Sequence, residues 1–234
     1  MLDLLKKLKD VGCVSVKAEF EAEGTRIEEL MRLVDIARRA QVDVALKVGG
    51  CEAIKDLFEA KQFGVEYIIA PMVETPYALS KFIAAKNRVF TKNDQKDTKF
   101  LVNIETITAY QNIEKMMNLC AVELDGVVFG RVDFCGSVPM NKEDVNSPPI
   151  LDYCKKVSKI CKTKDTEFVV GGGISVDAIP FLKEVNNIRL DRFETRKIIF
   201  SNSMLKDSKA EKYLLDAVHF ELLWLQNKSE YYGF

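Results

Sequence analysis

Apolar positions along this chain switch between two periods. Short runs at Cys13–Phe20, Val44–Val48, Tyr67–Val73, Leu101–Ile104, Gly126–Gly130 and Phe168–Val170 read as buried strands. Between them Ile27, Leu30, Met31, Val34 and Ala37, then Ile54, Leu57 and Phe58, then Ile107, Tyr110, Ile113, Met117 and Cys120, and later Ile150, Val157 and Ile160 recur at helical spacing. The punctuation agrees with that parse. Thr25 and Glu28 stand at capping-box spacing, Gly49-Gly50 closes the second strand, and Thr75-Pro76 is an N-cap followed by proline at the first helical position. Gly171-Gly172-Gly173 ends a strand, with Ser175 placed to cap the next helix. Ile188–Glu194 and Lys197–Phe200 give one bent strand or two short ones. A last helix, about Ala210 to Asn227, contains YLLDAVHFELLWLQ and is apolar on nearly every face, so it needs cover on both sides.

Seven or eight strands alternating with helices in one 234-residue α/β chain favour a (β/α)8 TIM-type barrel and a single domain; an open doubly wound sheet remains the other topology. No GxGxxG follows the first strand and no Walker motif occurs, so a dinucleotide fold has no motif in its favour. In a barrel the C-terminal strand ends carry the chemistry. Here they are Glu19, Glu21, Lys47, Glu74, Glu105, Asp133, the triple glycine and Arg192 to Arg196. The polar run Asn87–Lys99 is a solvated loop on the opposite side, and Ser137–Pro149 is a long loop at the rim, where lids occur. Residues 101–136 form a strand, helix, strand unit whose two strands run to Glu105 and to Asp133. Carboxylates at neighbouring strand ends call for a cation between them; a helix-capping Glu and a turn Asp is the alternative.

The balance of 34 basic and 35 acidic residues, interspersed, leaves no basic stripe for a nucleic acid. No apolar run has the length of a membrane span and the start, MLDLLKKLKDVG, is no signal peptide, so the expectation is a cytoplasmic protein without membrane or nucleic-acid partners. Six cysteines contain no CxxC pair and His219 is the one histidine, which disfavours zinc and disulfides alike. Cys51 and Cys135, near the rim, have no histidine to generate a thiolate and read as packing residues.

The segments Ala70–Thr75 (APMVET), Val102–Thr106 (VNIET) and Asp125–Phe134 (DGVVFGRVDF) resemble the HpcH/HpaI aldolase and citrate lyase family, with the likeness best from Lys47 to Ser137. The resemblance implies a phosphoenolpyruvate/pyruvate-type barrel that makes or breaks carbon–carbon bonds beside a 2-oxo acid or acyl group, using Mg²⁺ or Mn²⁺. It implies Glu105 and Asp133 as metal ligands, and substrate contacts from Gly130, Arg131, Val132, Asp133 and Gly172, with the amides of Val132 and Asp133 receiving a carboxylate. It also implies a homo-oligomer, often trimeric or hexameric, in which the C-terminal helix packs on a neighbour.

Three positions depart from the family pattern. Lys47 stands where family aldolases carry arginine, supplying charge without the planar fork. Glu19-Phe20-Glu21 replaces an acid followed by a histidine, so Glu19, Glu21 or a bound water must move the proton. Arg131, where a small residue or proline is common, is expected to read an extra anionic group. The expected activity is a metal-dependent carbon–carbon lyase with Lys47, Glu19 and Glu21 as catalytic residues. The alternatives are a non-catalytic metabolite-binding barrel and a phosphate-handling isomerase or carbon–phosphorus enzyme anchored by the triple glycine. Phe220, Leu223 and Trp224 are the expected interface residues.

Overall fold

The computed structural model describes residues 1–233. The element order is α1 (Leu2–Asp10), β1 (Cys13–Glu19), α2 (Ile27–Ala40), β2 (Asp43–Lys47), α3 (Ile54–Phe63), β3 (Tyr67–Ala70), α4 (Pro76–Val89), β4 (Lys99–Ile104), α5 (Ile107–Gln111), α6 (Ile113–Glu123) and β5 (Gly126–Gly130). It continues with α7 (Arg131–Ser137), α8 (Pro148–Thr163), β6 (Glu167–Gly171), α9 (Ile179–Asn186), β7 (Arg192–Glu194), β8 (Ile198–Ser201) and α10 (Ala210–Tyr232). The strands close in sequence order into an eight-stranded barrel.

Strands β1 to β7 pair in parallel, and β8 runs antiparallel to both β7 and β1. The tail thus supplies two short strands joined by a hairpin, and the turn at Thr195–Lys197 reaches the same rim as the other strand ends. A side chain closes that turn: Thr195 Oγ1 accepts from the Ile198 amide at 3.0 Å.

Because successive strand residues face opposite sides, alternate positions line the barrel. Ala45, Ile69, Leu101, Val128, Val169 and Ile199 form one apolar layer across its interior. Two residues further toward the rim stand Lys47, Asn103, Gly130 and Gly171, so a polar layer with two glycine gaps sits on an apolar floor. Below the floor Arg192 pairs with Glu167 at 2.7 Å and stacks over Tyr67.

Several local expectations shift. The run Gly126–Asp133 is not one strand: β5 stops at Gly130 and Arg131 starts α7, which puts Asp133 in a helical first turn. The Ser137–Pro149 stretch is a 3-10 turn at Lys142–Asn146 leading into α8 rather than an open loop. Thr75 caps α4 as expected, accepting from the Ala78 amide at 3.1 Å. The cap of α2 lies one residue later, with Glu29 accepting from the Arg26 amide at 3.1 Å. Glu29 is also drawn to Lys228 of α10, 3.0 Å away, which favours it over Glu28. Ser175 makes no side-chain cap bond.

The helix α10 corrects the expected facing. Leu214, Ala217, Phe220 and Trp224 are buried inside the chain's own fold, while Leu215, Val218, Leu222 and Leu225 are exposed. Arg32 stacks over Trp224 and α1 packs against the helix, so the large aromatics are already covered. Among the described residues no helix is long and apolar enough to cross a membrane.

Candidate active site

The polar layer opens into a cavity of about 450 Å³ at the C-terminal end of the barrel, lined by Lys17, Glu19, Glu21, Lys47, Asn103, Glu105, Gly130, Val132, Asp133, Gly172 and Glu194 among others. A larger groove of about 760 Å³ runs between α6 and α8 on the outside, away from every strand end. The rim cavity brings carboxylates and lysines together at the strand ends.

Glu105, at the end of β4, is almost fully buried. Its Oε1 accepts from the Met72 amide at 2.9 Å and its Oε2 from Asn103 Nδ2 at 2.7 Å, while Lys47 Nζ stands 3.7 Å away. The strand register leaves room for it: a Cβ on Gly130 would lie 2.7 Å from Glu105 Oε2. Burial pushes the Glu105 carboxyl above the usual carboxylate range against the pull of Lys47, and Asp133 adds to the rise. For Lys47, burial opposes the charge, but Glu105, Glu21 and Glu19 outweigh it and hold the ammonium above its ordinary range. Its close partner is Glu21, at 3.0 Å.

A second network lies beside the first. Lys17, fully enclosed, pairs with Glu194 at 2.8 Å and Glu19 at 3.0 Å. Burial works to raise the Glu19 carboxyl, but Lys17, Lys47 and Lys197 together bring it below its usual range. Lys197 in turn pairs with Glu23, which also binds Arg196 at 3.1 Å.

The cavity fits a hard divalent cation. Six lining carboxylates (Glu19, Glu21, Glu105, Asp133, Glu194, Glu221) face four cations, Lys17, Lys47 and Arg196 at its heart and edge and Lys142 at the mouth. Asp133 makes no hydrogen bond or ion pair among the described residues, and Asn103 Oδ1 is buried without a partner. Among the described residues no three His, Cys, Asp or Glu side chains cluster as a metal cage. Two carboxylates and an amide oxygen instead match a cation that keeps much of its water, the manner of Mg²⁺.

Of the expected site residues, Lys47, Glu19, Glu21, Glu105, Asp133, Val132, Gly130 and Gly172 line this cavity. Arg131 does not. Its side chain is fully buried, donating to Gly171 O at 3.3 Å, Val145 O at 3.3 Å and Asn146 Oδ1 at 2.6 Å, and lying over the Phe181 ring. The expectation of an anion-reading arginine is therefore corrected: the side chain does not reach the cavity, and its Nε and Nη1 hold the end of β6 and the turn before α8. At Gly172, φ is +77° and a Cβ would sit 2.7 Å from the Arg131 and Val132 amides. Close backbone packing therefore requires glycine there. The charged group Arg192, Glu194 and Arg196 is divided, with Arg192 under the floor, Glu194 in the cavity and Arg196 at its edge. Lys17 and Asn103 were not among the expected site residues, and Glu194 was expected only as part of the charged strand end Arg192 to Arg196. Their signal was a polar residue on the inward parity of an apolar strand, legible once the alternation Ser15, Lys17, Glu19 is followed.

A family model for HpcH/HpaI aldolase/citrate lyase matches residues 14–189. The chain belongs to that family. Membership places it among aldolase- and lyase-type enzymes and accounts for the barrel through α9, while β7, β8 and α10 lie beyond the matched region. Among solved structures it is similar to an HpcH/HpaI aldolase from Desulfitobacterium hafniense DCB-2 (TM-score 0.65, 14% identity, covering 81% of this chain and 80% of that one). It is similar as well to an HpcH/HpaI aldolase/citrate lyase family protein from Burkholderia cenocepacia J2315 (0.65, 14%, 81% and 82%). Citrate synthase SbnG aligns over 98% of this chain and 100% of its own at TM-score 0.64 and 14% identity. At these identities the likeness is one of fold. Comparison with curated proteins gives no match.

Proposed function

We propose that this family member is a divalent-metal-dependent carbon–carbon lyase that acts on a 2-oxo acid, or a related carbonyl compound, through an enolate. The observation that carries the proposal is the convergence of Lys47 with Glu105 and Asp133 on one cavity at the catalytic end of the barrel. Glu105 and Asp133 would hold Mg²⁺ or Mn²⁺, with Asn103 Oδ1 facing the same space; the cation would supply Lewis-acid polarisation of the substrate's carbonyl oxygen.

The chain's own residues do the rest. The Lys47 ammonium, kept charged by three carboxylates, stabilises negative charge developing on the oxo oxygen. As a point charge it can do so without the bidentate grip of arginine. The amides of Val132 and Asp133, at the start of α7, are offered to the substrate carboxylate. A rim carboxylate or bound water takes and returns the proton. The 3-10 turn at Lys142–Asn146 overhangs the cavity, with Lys142 at its mouth and Val145 against Gly173, which limits water there.

The test is release of a 2-oxo acid from a panel of 4-hydroxy-2-oxo acids, measured with and without Mn²⁺. Metal-dependent release supports the reading, and a panel that stays intact under both conditions removes it.

We further propose a cytoplasmic setting, in keeping with six free cysteines, and a homo-oligomer, trimeric or hexameric. The surface for assembly is the outward stripe Leu215, Val218, Leu222 and Leu225 on α10. Val218 also borders the active-site cavity, so a neighbour seated there would stand at its mouth.

A further inference from the structure

Three carboxylates of the cavity are placed to handle a proton, and their partners separate them. Glu21 is engaged by Lys47 at 3.0 Å. Glu19 is pulled below its usual range by Lys17, Lys47 and Lys197 despite its burial, which makes it a weak base. Glu194 differs from both in the burial of its second oxygen. Its Oε1 is held by Lys17 at 2.8 Å, and its Oε2 is buried with no hydrogen-bond partner among the described residues. The group lines the cavity and is 7% exposed. The adjoining strand is shaped around it: a Cβ on Gly171 would lie 2.8 Å from Glu194 Oε1 and 3.0 Å from its Cγ. A buried acceptor left open costs stability unless something else satisfies it. One oxygen anchored and the other enclosed without a partner describes a carboxylate with acceptor capacity to spare.

We propose that Glu194 moves the proton in this enzyme, its carboxylate accepting the hydroxyl proton of a 4-hydroxy-2-oxo acid and returning it to the enolate carbon, with Lys17 as the positioning residue. The proposal rests on the lyase reading of the same cavity. In the cleavage direction the hydroxyl O–H pair becomes the aldehyde C=O bond as the proton passes to the Glu194 carboxylate. The C3–C4 pair becomes the enolate C=C bond, and the oxo π pair moves onto the oxygen facing Lys47. Transfer of the same proton from Glu194 to C3 then yields the 2-oxo acid and restores the carboxylate, so nothing is oxidised or left over. It assigns to β7 a role that the family pattern gives to a histidine after the first core strand.

The experiment measures deuterium exchange into the C3 protons of pyruvate and 2-oxobutanoate by NMR, with full-length protein and Mn²⁺, because exchange needs proton transfer but no aldehyde partner. Wild type is expected to exchange at least one of the two. Glu194→Gln, which keeps shape and one acceptor oxygen, should slow exchange at saturating oxo acid by about 10² or more, with Mn²⁺ and oxo-acid affinities held within about threefold of wild type. A purely structural role would move those affinities and the melting temperature instead. Glu194→Asp keeps the charge for Lys17 but withdraws the carboxylate by one methylene, and should exchange at an intermediate rate; it carries the test if the Gln variant does not fold. Wild-type exchange rates in the variants would overturn the role of Glu194 and leave the lyase reading standing. Absence of exchange in the wild type with both acids would overturn the lyase reading and the role of Glu194 with it.

Discussion

Glu105 occupies the volume that a side chain on the next strand would fill. The nearest heavy atoms to a methyl group built on Gly130 are Glu105 Oε2 at 2.7 Å and Cβ at 2.9 Å. Gly130→Ala therefore has to displace the carboxylate, and calorimetric titration should show Mn²⁺ affinity reduced by about tenfold or more, as for loss of a supporting contact. Glu105→Gln and Asp133→Asn should each weaken Mn²⁺ binding in the same titration while far-ultraviolet circular dichroism stays unchanged; equal affinity in all three proteins would remove the metal site. Lys47→Ala should lower turnover by about 10², the scale for a group that stabilises a developing oxyanion, with a smaller change in KM. Restored or higher turnover in Lys47→Arg would mark lysine as a change of specificity. These residues were legible because each terminates an apolar run. Lys17 and Asn103 were not, because an inward-facing polar residue inside a strand is distinguished only by parity; Glu194 could be placed at the rim but not given a role, since β7 has just three residues to show its facing.

At the scale of elements, Arg131 ties β5, β6 and the turn before α8 together through three acceptors and a ring. Arg131→Met should cost about 2 kcal/mol or more, since buried carbonyls lose their donor, and urea unfolding would register it as a lower midpoint. An anion-reading role would instead appear as a raised KM with stability unchanged. The barrel itself could be read from the run of strands and helices, and so could the need for the tail to contribute the last strand. The hairpin could not, because its turn, Thr195-Arg196-Lys197, lacks Gly, Asn and Pro and is closed by a threonine hydroxyl. The facing of α10 was misjudged for a related reason. When ten of fourteen positions between Tyr213 and Gln226 are apolar or aromatic, periodicity no longer names the inner face, and the neighbours Arg32 and α1 decide it.

For the whole molecule, the outward stripe of α10 makes assembly measurable. Light scattering coupled to gel filtration should give a homo-oligomer, and Leu222→Glu with Leu225→Glu should reduce its mass while Trp224 emission stays blue-shifted, because that ring is buried within the chain. A monomeric wild type at micromolar concentration would refute the assembly. The buried ion pairs set a pH response of known sign. Glu19 is held below its usual range, so the stability it contributes is complete above about pH 4.3 and is lost as pH falls through its lower folded value. Lys17 is held above its own, so its contribution is complete below about pH 10.4 and is lost only in stronger base. Lys17→Met removes the partner of two buried carboxylates, and its urea midpoint should lie below wild type at pH 7 and approach it under acid, where the contribution of Glu19 is lost from both. The antiparallel seam between β1 and β8 has a consequence for how the protein is made. Residues 13–16 find their partners only at residues 198–200, so during translation the first strand waits with one hydrogen-bonding edge bare until nearly the whole barrel has left the ribosome. Ring closure is then a late, long-range event in a nascent chain, and a chain released before Ile198 would present a seven-stranded, open sheet, the form most exposed to edge-to-edge aggregation and chaperone capture.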